Sequence, residues 1–163
     1  MNFLDKMNYS SICFLLPILF LNVPHSLFTS LICLSFCSFL YHNYPNKMTL
    51  LLDHSNIINT CSMIYFNSFP ISVYYILLFL IEQKLWKTQF VVFFIYFLSY
   101  SKFMKNPIVN LYFFSSLFIY CITYLQEKNQ LNFYPYQRWL WHFGQSMYIY
   151  HSISESYSQR LKF

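Results

Sequence analysis

The chain has 163 residues, of which 57% are hydrophobic, 24% are aromatic and only 9% are charged, with a formal net charge of +5. Because globular domains carry about 25% charged residues, this composition excludes an ordinary soluble domain and predicts an integral, multi-pass membrane protein. The ten Lys and Arg residues are spread thinly between the apolar runs, which indicates contact with lipid headgroups rather than a nucleic-acid surface.

The apolar runs predict an all-α fold. They are nearly continuous rather than alternating, and the chain contains a single glycine, so neither β-hairpins nor a β-barrel are favoured. A membrane-crossing helix needs about 20 mostly apolar residues. We therefore predict one domain over residues 1–163, a bundle of seven transmembrane helices with spans at about 11–23, 27–42, 50–68, 70–83, 88–102, 107–125 and 136–153.

Prolines and polarity decide where these helices begin and how many there are. Five of the six prolines fall at the breaks between runs, where a missing N–H does no harm, whereas Pro17 lies inside the first span and predicts a kink there. The runs at 50–68 and 136–153 are the most polar. They count as spans because helices that line a polar site face lipid with only part of their surface.

Polar residues from three predicted helices meet at one side of the membrane. His42 lies at the exit of the second span, Asp53 lies at the entry of the third, and Arg138 and His142 lie at the start of the seventh. Helical spacing puts Ser35 and Ser38 on one stripe with His42, and puts Ser146 on another with Arg138 and His142. Charged groups are costly inside a bilayer, so this set predicts a binding or catalytic site.

These residues resemble the CREST superfamily, which includes the alkaline ceramidases and the progestin and adipoQ receptors. The resemblance rests on Ser38 and His42 at the end of the second helix, Asp53 eleven residues later, and Trp141-His142 opening the seventh helix. Family members are seven-helix membrane proteins that hold zinc with three His side chains. The resemblance implies zinc ligation by His42 and His142, a zinc-bound water oriented by Asp53, and assistance from Ser38.

One position departs from the family pattern. Arg138 stands four residues before His142, where the family has its other zinc-binding His, and a guanidinium offers no lone pair to a metal. A catalytic zinc needs three protein ligands and an open position. His54 is a candidate third ligand if the third helix rotates, since it lies about 100° around the helix from Asp53.

Two functions from different classes follow. The first is a zinc-dependent hydrolase that cleaves an amide bond of a lipid such as a ceramide, with Asp53 as general base and Ser38 steadying the water or the oxyanion. The second is a non-catalytic seven-helix protein, lipid-binding or receptor-like, in which an Asp53–Arg138 ion pair replaces the metal. A third interpretation is an unrelated multi-pass protein, with Asp53 as the N-terminal cap of the third helix and His142 as a packed polar residue.

Overall fold

The computed structural model describes residues 8–66, 106–129 and 135–160, together with single positions at 76, 77, 80 and 92. Within these ranges every regular element is helical, which confirms the all-α class. The predicted spans at 70–83 and 88–102 lie outside the described residues, apart from those single positions. The elements are a 3-10 helix Ser10–Leu15, α1 Leu16–Phe20, α2 His25–Asn43, α3 Lys47–Phe66, α4 Pro107–Lys128 and α5 Pro135–Arg160.

The helix boundaries follow the prolines and one asparagine. Pro107 and Pro135 are the first residues of α4 and α5, and Pro24 directly precedes α2. Helix α3 begins at Lys47 rather than near residue 50, because the Asn46 side-chain oxygen accepts hydrogen bonds from the backbone N–H groups of Met48 and Thr49. Asp53 therefore lies in the second turn of α3, and Asn46 has the capping role that the sequence suggested for Asp53.

The segment predicted as a first span at 11–23 is not one regular helix. A 3-10 helix runs to Leu15, α1 continues to Phe20, and Leu21 has an extended backbone with φ −123° and ψ 140°. Pro17 lies in the first turn of α1, where its missing N–H removes no helical hydrogen bond. The predicted kink at Pro17 is thus replaced by a change of helix type immediately before it.

The 3-10 helix lies between α2 and α5 and is tied to both. The Ser35 hydroxyl of α2 donates to the Ser11 carbonyl at 3.0 Å, and the Ser146 hydroxyl of α5 donates to the Cys13 carbonyl. Both hydroxyls are buried, so each satisfies a carbonyl that water does not reach. Two serines on different helices therefore fix the position of the N-terminal segment.

The core lies between these elements, with α2 packed on α3 and α4 packed on α5. Leu31 of α2 is fully buried, and Phe113 of α4 packs its ring against Tyr148 of α5 at a centroid distance of 5.5 Å. The outer faces of α2 and α4, in contrast, expose large apolar side chains that include Phe36 and Phe118. In the ranges described here, no helix combines the length and the apolarity that crossing a membrane requires.

The single glycine of the chain lies where α5 packs closely against α4. A Cβ atom added to Gly144 would lie 2.7 Å from the Cβ of Ser116, closer than carbon atoms approach. We expect Gly144→Ala to destabilise the fold by about 1–3 kcal/mol, although alanine is the better helix former. Thermal unfolding in detergent tests this against Ser154→Ala on the exposed side of α5. Equal melting temperatures for the two variants would contradict the prediction.

Candidate functional site

Two histidines that are 100 residues apart in sequence meet at one end of the helices. The Nε2 atom of His42, near the end of α2, lies 3.1 Å from the Nε2 atom of His142, in the second turn of α5. The His142 side chain is only 1% exposed. The structure thus brings together the two residues that the CREST resemblance assigns as zinc ligands.

Aromatic rings enclose this histidine pair. The Trp141 ring is stacked on His142 at a centroid distance of 4.7 Å and meets His42 edge-on at 5.6 Å. Phe14, from the 3-10 helix, contacts the His142 ring edge-on at 5.2 Å. These rings restrict the orientation of both imidazoles, so their nitrogen atoms point at fixed partners.

The second nitrogen of His142 faces the N-terminal segment. Its Nδ1 atom lies 2.6 Å from the Ser10 hydroxyl oxygen, and that hydroxyl donates to the Asn8 side-chain oxygen at 2.6 Å. The same Asn8 oxygen accepts the backbone N–H of Ser10 at 3.0 Å. Sequence analysis did not identify Ser10 or Asn8 as site residues, and their only local signal is an Asn-x-Ser turn pattern.

Asn43 holds that segment beside His42. The Asn43 side-chain oxygen accepts the backbone N–H of Asn8 at 2.7 Å, and its amide group donates to the Asn8 carbonyl at 3.0 Å. The Asn43 side chain thus makes the same two hydrogen bonds to the Asn8 backbone that a neighbouring β-strand would make. Because Asn43 directly follows His42, it couples the end of α2 to the residues that contact His142.

A serine one helical turn before His42 meets a carboxyl group of α3. Ser38 is four residues before His42 on α2, and its hydroxyl is hydrogen-bonded to the buried Asp53 carboxyl. The Oδ1 atom of Asp53 is also buried and accepts no hydrogen bond. Buried polar atoms are almost always paired, so an orphaned carboxylate oxygen is typical of a place that a water or a ligand fills.

The remaining predicted site residues have different surroundings. Arg138 is partly exposed, and its positive charge acts on both His42 and His142. Ser146 is buried and used to anchor the 3-10 helix through Cys13, and it is therefore a structural tie. His54 is partly exposed on α3, next to Asp53. The Asp53–Arg138 ion pair stays a prediction.

The histidine pair fits half of a zinc site. Two imidazoles bound to one tetrahedral zinc at 2.0–2.1 Å have nitrogens about 3.3 Å apart, close to the observed 3.1 Å. However, no group of three or more His, Cys, Asp or Glu residues in the described part of the chain could hold a metal ion, so His54 does not complete the set. Three further residues of these four types have side chains outside the described part of the chain, namely Asp5, Glu82 and Glu127.

No protein-family model, no curated protein and no solved structure matches this chain. The resemblance to the CREST superfamily accordingly stays a prediction based on the residues quoted above.

Proposed function

We propose that this chain is an integral membrane protein that hydrolyses an amide bond of a lipid at the His42–His142 site. The membrane part of the proposal is supported by composition and by the exposed side chains. Phe28, Ile32 and Phe36 recur at helical spacing on the outside of α2 and are 39%, 43% and 59% exposed. A contiguous apolar face of this kind is costly in water and suits contact with lipid.

The observation that carries the catalytic part is the convergence of the two Nε2 atoms of His42 and His142, with Ser38, one turn before His42, hydrogen-bonded to the Asp53 carboxyl. His42 and His142 would hold zinc, which supplies an activated water at neutral pH when bound. Asp53 would act as general base through its unpaired Oδ1 atom, while the Ser38 hydroxyl fixes the carboxyl. The proposal requires a third zinc ligand from outside the described side chains.

A small apolar cleft supports contact with the hydrocarbon chain of a lipid. It has a volume of about 280 Å³ and lies between the 3-10 helix and α2. Its walls include Ile12, Leu15, Ile32 and Phe36. Ile32 and Phe36 also belong to the exposed apolar face of α2, so the cleft suits a hydrocarbon chain on the outside of the helices.

A second candidate function is favoured by Arg138. A guanidinium whose charge reaches both imidazoles disfavours a metal cation between them, and the direct contact of the two Nε2 atoms already satisfies the rings without one. In this alternative the chain binds lipids, or acts like a receptor, without catalysis. Both candidates use the same membrane-embedded fold, so metal content distinguishes them.

The deciding measurement is the zinc content of the purified chain in detergent. The hydrolase proposal expects about one zinc per chain, lost in His42→Ala and His142→Ala. His151→Ala is the matched control, because His151 lies on the same helix but stacks on Tyr112, away from the pair. Folded wild-type protein that stays zinc-free after zinc is added would overturn the hydrolase proposal and support the metal-free alternative.

A further inference from the structure

The orientation of the Asn8 side chain is fixed by a backbone group. The backbone N–H of Ser10 can only donate, and it points at the Asn8 side-chain atom 3.0 Å away. That atom must therefore be the amide oxygen and not the amide nitrogen. The Asn8 side chain consequently offers a hydrogen-bond acceptor, not a donor, to the Ser10 hydroxyl.

This acceptor determines where the hydroxyl hydrogen of Ser10 lies. Ser10 Oγ is 2.6 Å from the Asn8 oxygen, and two oxygens come this close only when a hydrogen lies between them. The hydroxyl has one hydrogen, so Ser10 Oγ must act as acceptor toward its other partner. That partner is His142 Nδ1, also at 2.6 Å, which must therefore carry a hydrogen.

The hydrogen on His142 Nδ1 determines whether the other ring nitrogen, Nε2, carries a hydrogen or a lone pair. A neutral imidazole has one N–H group, so His142 with a hydrogen on Nδ1 has a lone pair on Nε2. This lone pair faces His42 Nε2 at 3.1 Å. In the metal-free chain this lone pair accepts the N–H of His42. A nitrogen with a lone pair is also what a metal requires of its ligand.

We propose that Ser10, oriented by Asn8, is a positioning residue that holds His142 in the Nδ1–H tautomer and directs its Nε2 lone pair into the site. Metal-binding histidines characteristically donate their other N–H to an oxygen, which fixes the tautomer and increases ligand basicity. Ser10 occupies that place for His142, and Asn43 secures it through the Asn8 backbone. The role in zinc ligation depends on the proposed function, whereas the placement of the hydrogen does not.

The first test is the tautomer itself, measured on metal-free protein in detergent with ¹⁵N-labelled histidine. The ¹⁵N shifts of His142, assigned by their loss in His142→Ala, are expected to show the Nδ1–H form in the wild type. Ser10→Ala removes the acceptor and is expected to shift His142 toward the Nε2–H form, while Ser10→Thr keeps a hydroxyl and restores the wild-type spectrum. Ser11→Ala, in the same turn of the 3-10 helix, is the matched control. A wild-type His142 protonated at Nε2 would overturn the inference whatever the spectrum of Ser10→Ala.

The second test is zinc affinity, which separates this inference from the proposed function. Ser10→Ala is expected to weaken zinc binding roughly 10- to 100-fold, the usual cost of losing such a partner. A chain that takes up no zinc but shows the Nδ1–H form, altered by Ser10→Ala, would support the positioning role and overturn the hydrolase. Unchanged affinity and an unchanged spectrum in Ser10→Ala would overturn the positioning role while leaving the hydrolase intact.

Discussion

Asp53→Asn is expected to reduce ceramide hydrolysis by about 10²- to 10⁴-fold, the range that a lost general base costs. The asparagine keeps the shape of the side chain and can still meet the Ser38 hydroxyl, but its amide cannot accept a proton from a water molecule. The measurement is the release of fatty acid from a ceramide by zinc-loaded protein in mixed micelles. We expect the zinc content to be unchanged, because Asp53 acts on the water and is not a ligand in this proposal.

The control for this experiment lies one turn further along α3. Asn56→Ala removes a polar side chain that contacts Cys37 and the Leu52 carbonyl, and it should leave hydrolysis within a few-fold of the wild type. Wild-type activity in Asp53→Asn would rule out the general-base role. Activity lost in both variants to the same extent would mean that α3 tolerates no change there and that the effect is structural.

Phe113→Ala is expected to cost about 3–5 kcal/mol of stability, the largest effect of any single substitution considered for the fold. Phe113 is 2% exposed and packs against Tyr148 of α5, so truncation leaves a cavity between α4 and α5. The adjacent Phe114 is 53% exposed on the outer face of the same helix. Phe114→Ala removes the same atoms from the same helix and is expected to change stability by less than about 0.5 kcal/mol.

Unfolding in detergent with increasing denaturant compares the two variants directly. A large loss for Phe113→Ala and little change for Phe114→Ala would confirm which face of α4 packs against protein. The reverse order would contradict the described orientation of α4. An equal loss of stability in the two variants would mean that the outer face of α4 is covered as completely as its inner face.

Hydropathy and prolines predicted where the long helices lie. The runs near 27–42, 50–68, 107–125 and 136–153 correspond to α2, α3, α4 and α5, because apolar length and proline position are local properties of the chain. The structure of the first run was not predictable in this way. An apolar run does not distinguish a 3-10 helix from an α-helix, and its form depends on serines contributed by α2 and α5.

The site residues also divide into those that the sequence predicts and those that depend on contacts it does not reveal. His42 and His142 were expected at one site because both are polar residues at the ends of apolar runs and both match the CREST pattern, and the structure pairs them. Ser10, Asn8 and Asn43 could not be predicted, since their partners are set by side-chain orientation at helix ends and not by periodicity. The capping role assigned to Asp53 failed for a local reason, because Asn46 begins α3 one turn earlier than hydropathy indicates.

The hydrogen bonds that join the 3-10 helix to α5 have a consequence for the order in which contacts form during synthesis. Ser10 and Cys13 leave the ribosome long before His142 and Ser146, the α5 residues to which they are hydrogen-bonded. Until α5 has been made, the Ser10 hydroxyl and the Cys13 carbonyl have only their local partners, so the contacts that join the 3-10 helix to α5 form after the intervening helices have been made. The histidine pair likewise forms only after α5 has been made, so a ligand that binds the pair would detect only chains in which α2 and α5 have come together.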